Sequence, residues 1–209
     1  LVIMGKSGSG KSVMIKCIIG LEDPDSGTIT VMGKTINELD QEELDEVRTE
    51  IGFLFQGSAL YDSMSIRENL EFPLKRHIKK FGVLEDTTPL VMEALDNVGL
   101  GNTIDLMPEE LSGGMKRRIA LARTLILKPK IILYDEPTTG LDPITGNEIL
   151  ELMMSIQEKY KTSSIIITHD PDYAKVIANR MILLIDGINY AEGTFEELSQ
   201  STDPKIQPF

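Results

Sequence analysis

Eight consecutive residues near the start of the chain match the G-x-x-x-x-G-K-[ST] pattern of a phosphate-binding loop: Gly5, Lys6, Ser7, Gly8, Ser9, Gly10, Lys11 and Ser12. Glycines let such a loop turn tightly and direct its backbone N–H groups at one anion. Lys11 adds a positive charge for the terminal phosphates, and Ser12 offers a hydroxyl to Mg²⁺. A glycine-rich turn that matches by accident is the alternative. The apolar run 1–4 before the loop and the helical pattern that ends at Gly20 favour the phosphate site.

Apolar runs of strand length alternate with helix-like segments along the rest of the chain. Six further runs have the pattern of strands: residues 28–31, 51–55, 130–134, 164–168, 180–185 and 188–191. Strands that alternate with helices are typical of a mostly parallel sheet covered on both faces. The sequence therefore predicts an α/β fold, with a hairpin at the turn 186–187.

Polar residues mark where the helices begin. Three pairs have the spacing of a capping box: Asp40 with Glu43, Ser65 with Glu68, and Thr194 with Glu197. Proline directly after a polar residue predicts further helix starts at 88–89, 142–143 and 170–171. The pattern from 57 to about 100 is helical, and we expect this stretch to be an insertion between strands.

Two acids directly follow the predicted strand 130–134. Open α/β sheets hold their ligands at the carboxyl ends of their strands, so we expect Asp135 to hold Mg²⁺, directly or through water. Glu136 would orient and deprotonate the attacking water, because phosphoryl transfer depends mainly on positioning and charge stabilisation. In isolation the two acids would equally fit a polar strand end. The phosphate loop favours the catalytic interpretation.

Two more polar residues follow predicted strands. His169 comes after the strand 164–168 and Gln56 after the strand 51–55, so both side chains can reach the same edge of the sheet. We expect His169 to face the γ-phosphate and Gln56 to bind Mg²⁺ and the attacking water. A structural hydrogen bond for His169 and an exposed amide for Gln56 are the alternatives.

The charge balance bears on which partners the chain can have. Its 209 residues include 21 Lys plus Arg and 33 Asp plus Glu, which gives a net charge of −12. This charge disfavours nucleic acid or anionic lipid as the main partner. No run approaches 18 consecutive apolar residues, so we expect any membrane role to come through a partner. The basic residues Lys116, Arg117 and Arg118 are most simply a solvated helix face, with a second phosphate site as the alternative.

Six motifs in this order resemble the ATP-binding cassette (ABC) family over essentially the whole chain. They are residues 5–12, Gln56, residues 111–115, residues 131–136, residues 140–142 and His169. The resemblance implies an ATPase with a P-loop fold: a mostly parallel sheet flanked by helices, a small antiparallel β part and a helical subdomain at about 57–127. It implies one ABC ATPase domain over 1–209, with ATP as substrate and Mg²⁺ as cofactor.

The resemblance also implies that two copies of the chain work together. The helix start at Ser112, Gly113 and Gly114 would bind the γ-phosphate of an ATP molecule that the phosphate loop of a second copy holds. Asp142 would lie at the interface between the two copies. A head-to-tail dimer with two buried ATP molecules follows from this family pattern. Glycine-rich helix starts suit anion binding in general.

Several segments narrow the resemblance to the Mla-type cassettes, the ATPases of MCE-associated phospholipid transporters. They are residues 56–63, residues 69–74, Met115 in place of the Gln found in many cassettes, and residues 134–143. In such systems a permease spans the inner membrane, and the groove beside 56–61 takes its coupling helix. The implied location is the cytoplasmic, inner face of the cell membrane, with a permease and an MCE-domain protein as partners.

Family members carry about two strands and an adenine-stacking aromatic before the phosphate loop, and these are missing from this sequence. Residues 28–31 would then lack strand partners and present an open edge, so we expect the true protein to be longer at its N-terminus. Rival functions are another ABC importer or exporter, a non-transport ABC ATPase, and a monomeric P-loop kinase or GTPase. In a monomeric enzyme, 112–115 would be only a helix start.

Overall fold

The computed structural model describes residues 1–77, 82 and 85–207, and within this part of the chain helices cover both faces of a six-stranded sheet. The strands are β1 (Val2–Met4), β4 (Ile51–Leu54), β5 (Ile131–Asp135), β6 (Ser163–Ile167), β7 (Met181–Ile185) and β8 (Ile188–Gly193). They lie in the order β4-β5-β6-β1-β7-β8. All neighbours pair in parallel except β7 and β8. The predicted α/β fold is confirmed.

Eight α-helices connect and cover the strands in the described residues. They are α1 (Lys11–Ile18), α2 (Gln41–Thr49), α3 (Ile66–Arg76), α4 (Thr88–Asp96), α5 (Gly113–Leu125), α6 (Pro143–Tyr160), α7 (Pro171–Ile177) and α8 (Phe195–Ser199). The helices α3, α4 and α5 pack against one another beside β4. The expected helical insertion at 57–100 is helical at α3 and α4, and its residues 78–81, 83 and 84 lie outside the described part.

Side chains of the parallel strands alternate between two apolar layers. Val2 and Met4 of β1 pack with the helices α3 to α7, whereas Ile3 between them packs with α1 and α2 on the other face. In β5, Ile132 and Leu133 divide in the same way. Burial on both faces explains why these strands are continuously apolar rather than alternating apolar and polar.

The predicted helix starts are confirmed at atomic level. All three capping boxes form, and in the first of them Asp40 accepts a hydrogen bond from the Glu43 N–H at 2.9 Å while Glu43 accepts one from the Asp40 N–H at 3.1 Å. Asp142 and Asp170 each accept two backbone N–H hydrogen bonds at the starts of α6 and α7. Each cap satisfies N–H groups that a helix start leaves unpaired.

Thr30 and Val31 do have a strand partner, so the expectation that residues 28–31 lack one is wrong. Strand β2 (Thr30–Val31) pairs antiparallel with β3 (Lys34–Thr35) around the turn at Met32 and Gly33. Both turn residues have positive φ, 50° and 81°, which is typical of a two-residue hairpin. The hairpin reduces the number of unpaired backbone groups, and Val31 packs into the apolar layer of α1 and α2.

The parallel arrangement gives β1, β4, β5 and β6 a common carboxyl edge. The segments that follow these strands carry the phosphate loop, Gln56, Glu136 and His169. Because the four strands are neighbours in one sheet, residues far apart in sequence come together at this edge.

Candidate functional site

The phosphate loop connects β1 to α1. Gly8 and Gly10 have positive φ values of 81° and 95°, which residues with a side chain rarely adopt, and Gly10 is the N-cap of α1. The Lys11 side chain is only 7% exposed. Its Nζ donates hydrogen bonds to the backbone oxygens of Gly5 at 2.7 Å and Lys6 at 3.1 Å. The ammonium group is thus fixed inside the loop.

Ser12 and Asp135, which are 123 residues apart in sequence, meet at the end of β5. The Ser12 hydroxyl donates a hydrogen bond of 2.9 Å to the Asp135 carboxylate. Asp135 is 7% exposed, and this burial, followed by the nearby charge of Glu136, raises the pKa of its carboxyl group. A hydroxyl and a carboxylate are hard oxygen ligands of the kind that Mg²⁺ prefers.

Carboxylate and histidine side chains alone would not complete a Mg²⁺ site here, so the other ligands would be of a different kind. Among residues 1–77, 82 and 85–207, no three His, Cys, Asp or Glu side chains form a group that could hold a metal ion by themselves. Mg²⁺ commonly uses one or two protein ligands together with substrate phosphates and water. The Ser12–Asp135 pair beside a phosphate loop fits that mode of binding.

Glu136 is held by two side chains. Its Oε2 lies 2.7 Å from Nδ1 of His169 and accepts a hydrogen bond of 2.9 Å from the Thr139 hydroxyl. Its backbone N–H bonds to the Ile167 oxygen at 3.0 Å, which attaches the residue to β6. Glu136 has φ of 50°, an unfavourable value for a residue with a side chain. Such strained positions are frequent at functional sites, where the surrounding structure holds them.

One open cleft of about 490 Å³ collects most of the predicted site. Its walls are formed by Ser7, Gly8, Gly10, Lys11, Ser12, Val13, Gln56, Glu136 and His169. Lys6, Ser9 and three glycine or serine residues of the same loop line a second cleft of about 710 Å³, which Asp186 and Lys205 also line. The structure therefore brings the phosphate loop, Gln56, Glu136 and His169 to one place.

Ser112, Gly113, Gly114 and Asp142 do not line that cleft. They lie together at the adjoining N-termini of α5 and α6, where Ser112 accepts a hydrogen bond from the Met115 N–H at 3.2 Å. A Cβ atom on Gly114 would lie 2.6 Å from Thr145 Cγ2. The two helix starts therefore pack closely only because residue 114 has no side chain. Ser112, Gly113 and Asp142 are exposed.

Arg117 is buried, and the expectation that it lies on a solvated face is wrong. The residue is 4% exposed, and burial lowers the pKa of its guanidinium group. It donates to the backbone oxygens of Phe55 at 2.8 Å and Thr139 at 3.4 Å. Helix α5 has buried residues on most of its circumference, including Ile119, Ala120 and Leu121, so it offers no wide polar face.

Two further contacts of the site could not be found from motifs. Thr139 lies within the segment 134–143 but gave no signal of its contact with Glu136. Arg123, near the end of α5, donates to the Ser58 oxygen at 3.2 Å and lies 5.6 Å from the centre of the Tyr61 ring.

Comparison with known proteins assigns the family. A family model described as ABC transporter matches residues 1–139. The chain belongs to the ABC transporter family. The predicted resemblance is thereby confirmed, and with it the ABC ATPase type of fold.

Two relatives show how much of a known ABC protein this chain covers. It is 40% identical over its whole length to the probable ribonucleotide transport ATP-binding protein mkl of Mycobacterium leprae, but spans only 59% of that protein. It is 41% identical to the intermembrane phospholipid transport system ATP-binding protein MlaF of Haemophilus influenzae, over 99% of this chain and 78% of the relative.

A similar solved structure is a dimeric ATP-binding cassette in a post-hydrolysis state with ADP and Pi bound. It superposes on this ABC chain with a TM-score of 0.83 at 35% identity, over 93% of this chain and 84% of the other. Among the helices of the described residues, none combines the length and the apolar character needed to cross a membrane.

Proposed function

We propose that this chain is the ATP-hydrolysing, nucleotide-binding subunit of an ABC transporter. The observation that carries the proposal is the meeting of two pairs at the phosphate loop: Ser12 with Asp135, and Glu136 with His169. The first pair offers oxygen ligands to a metal, and the second offers a carboxylate whose position is fixed. Both lie at the carboxyl edge of the sheet, where such folds hold their ligands.

The phosphate loop binds the triphosphate of ATP. Its backbone N–H groups and the start of α1 attract the phosphates, and Lys11 contributes a positive charge in a poorly hydrated position, where electrostatic attraction is stronger than in water. Mg²⁺ would be held by Ser12, Gln56 and Asp135, and when bound it neutralises charge that develops on the phosphate oxygens.

Glu136 acts as the general base for the attacking water. The carboxylate accepts a water proton as the oxygen of that water attacks the γ-phosphorus and the bond to ADP breaks. His169 and Thr139 keep the carboxylate in one orientation through Oε2, and correct orientation accounts for much of the rate gain in such reactions. Gln56 and His169, which share the cleft with Glu136, orient the water and the γ-phosphate.

The second half of each site comes from a second copy of the chain. Ser112, Gly113, Gly114 and Asp142 lie together at another surface and are absent from the wall of the cleft. In a head-to-tail dimer these residues would cover the ATP bound to the partner. The likeness to a dimeric cassette with ADP and Pi supports this arrangement. Residues 1–209 then act as one ABC ATPase domain, with 57–127 as its helical subdomain.

The proposed cargo is phospholipid, which a permease would move together with an MCE-domain protein, as in the Mla-type systems. The relative MlaF, named for intermembrane phospholipid transport, is 41% identical to this chain. The relative mkl, named for ribonucleotide transport, is 40% identical, so transport of another cargo is the second candidate. The chain would lie at the cytoplasmic face of the membrane through its permease, and its charge of −12 argues against nucleic acid.

A phosphate-release assay tests the enzymatic part of the proposal. The purified full-length protein should hydrolyse ATP in the presence of Mg²⁺, and addition of EDTA should abolish the reaction. Rates should rise more than linearly with protein concentration at the low end, because the complete site needs two chains. Absence of Mg²⁺-dependent hydrolysis, alone and with its permease, would refute the proposed activity.

Reconstitution tests the cargo. The chain should be co-purified with its permease, and the ATPase rate of the complex should be compared in phospholipid vesicles and in detergent with added ribonucleotides. Stimulation by phospholipid, and movement of a labelled phospholipid that stops in the Glu136→Gln variant, is the expected result. Stimulation by ribonucleotide alone would favour the second candidate.

A further inference from the structure

One buried side chain touches both loops that carry the hydrolytic residues. Arg117 of α5 donates to the Phe55 oxygen at 2.8 Å, directly before Gln56, and to the Thr139 oxygen at 3.4 Å, three residues after Glu136. The two loops follow neighbouring strands, β4 and β5. No backbone hydrogen bond between these two loops is present in the described residues, so the guanidinium group is the polar link between them.

Each of the two contacts lies at a point that fixes a turn. The Phe55 oxygen that accepts from Arg117 also accepts from the Ser58 N–H at 3.1 Å, which closes the turn containing Gln56. Thr139, whose oxygen is the second acceptor, donates its hydroxyl to Glu136 and its backbone N–H to the Glu136 oxygen at 3.2 Å. Displacement of either oxygen would therefore move a residue of the site.

The planar fork of arginine suits this position. A guanidinium group holds several donors in fixed directions, so it can bind two carbonyl oxygens with one orientation. Burial makes both bonds stronger than they would be in water and makes their loss costly, because a buried cation would be left without these partners. Within the described part of the chain, the Nε atom of Arg117 has no hydrogen-bond partner, so the hydrogen bonds of this side chain come from its two terminal nitrogens.

Arg117 also lies on the helix that begins at Ser112–Gly114. It is one turn from that helix start, and α5 is continuous from Gly113 to Leu125. We propose that Arg117 is a positioning residue that fixes the Gln56 and Glu136 loops relative to each other, and so links the start of α5 to the hydrolytic residues of the same chain. This inference rests on the proposed function, in which the start of α5 covers the partner's ATP.

The consequence is a mechanical connection between the two ATP sites of the dimer. When the start of α5 engages the partner's nucleotide, any shift of α5 is passed through Arg117 to Gln56 and Glu136, which act on this chain's own nucleotide. Arg123 reinforces the link, since it holds the Ser58 oxygen from the same helix at 3.2 Å. Neighbouring Arg118 does not take part, because it pairs with Glu148 at 2.6 Å.

The test replaces Arg117 with Met in the full-length protein, with Arg118→Met as matched control. Arg117→Met should leave the Kd for ATP within about twofold of the wild type and lower kcat by about tenfold or more, since small misplacements of reacting groups are costly. Hydrogen exchange at the amides of Ser58 and Thr139 should be at least about tenfold faster. Arg118→Met should change none of these three quantities, the Kd, kcat or the exchange rates, by more than about twofold.

The exchange measurement needs no turnover, so it separates this inference from the proposed function. If the wild type lacks ATPase activity, the proposed function fails, and faster exchange at both amides in Arg117→Met still supports the link. Unchanged exchange at either amide would overturn it, as would a wild-type kcat in the folded variant. Should Arg117→Met fail to fold, the Arg117→Lys variant replaces it in the test. A single ammonium group should keep the Ser58 amide protected from exchange while the Thr139 amide exchanges faster. Exchange at the wild-type rate at both amides would overturn the link.

Discussion

The Oε2 atom of Glu136 lies 2.7 Å from Nδ1 of His169, although the two residues are 33 positions apart in the chain. They come together because β5 and β6 are parallel neighbours whose carboxyl ends meet at one edge. Thr139 adds a second contact to the same oxygen. The carboxylate is therefore oriented by both the following strand and its own loop.

Replacement of Glu136 by Gln should separate ATP binding from hydrolysis. The amide keeps the shape of the side chain but cannot accept the water proton, so we expect hydrolysis to fall about 10²–10⁴-fold while the Kd for ATP changes little. Light scattering should show a dimer that persists with ATP. The exposed residue Glu151 offers a control, since Glu151→Gln should retain activity. Normal hydrolysis by Glu136→Gln would exclude Glu136 as the base.

Replacement of Lys11 by Ala should instead reduce affinity for ATP. The ammonium group is fixed within the phosphate loop by the Gly5 and Lys6 oxygens, and a hydrogen bond to a charged group is typically worth enough to raise Kd about tenfold to a hundredfold when lost. Titration with a fluorescent ATP analogue measures the change. Lys34→Ala removes an exposed cation that pairs with Glu46 and should leave Kd unaltered. An unchanged Kd in Lys11→Ala would contradict the phosphate-loop assignment.

Gly114 and Gly113 offer a matched pair for packing. A Cβ at 114 would lie 2.6 Å from Thr145 Cγ2, and Thr145 cannot turn away freely because its hydroxyl bonds to Asp142 at 2.6 Å. We expect Gly114→Ala to lower the free energy of unfolding by about 1–3 kcal/mol. At 113 the nearest atom would be Leu141 Cδ2 at 3.9 Å, so Gly113→Ala should be nearly neutral. Urea denaturation decides, and equal stability of the two variants would refute the packing argument.

Asp135 should make stability depend on pH in an unusual direction. Burial raises the pKa of its carboxyl group above the ordinary 3.8, so its contribution to stability is complete below that pH and is lost as pH rises through the raised pKa. Without Mg²⁺ and nucleotide, Asp135→Asn should therefore be more stable than the wild type near pH 7, and the difference should shrink towards pH 4. Exposed Asp62→Asn serves as control. A variant less stable at pH 7 would contradict this account.

The sequence predicted those parts of the fold and site that depend on local pattern and on strand order. The phosphate loop, the caps at Asp40 and Asp142, and the convergence of Glu136 with His169 follow from such signals. The partner of the predicted strand at 28–31 was missed because β3 has only two residues, too few for a periodic pattern. The expectation that residues 28–31 lack a strand partner followed from that omission.

Arg117 shows a different limit of prediction from sequence. A basic residue beside two others on a helix is usually solvated, and burial depends on what packs against the helix. Here α3, α4, α6 and β4 surround α5, and the acceptors of Arg117 are backbone oxygens 62 and 22 residues away. Backbone acceptors leave no mark in a sequence, so only the three-dimensional structure reveals this contact.

The central claim is that each ATP site combines the phosphate loop of one copy with Ser112–Gly114 of the other. Mixing two inactive full-length variants, Lys11→Ala and Ser112→Arg, tests it most directly. A mixed head-to-tail dimer contains one intact composite site, so hydrolysis should recover to about a quarter of the wild-type rate at equal proportions. If each chain forms its whole site alone, the mixture holds no intact site, and the absence of any recovery despite mixed dimers would contradict the account.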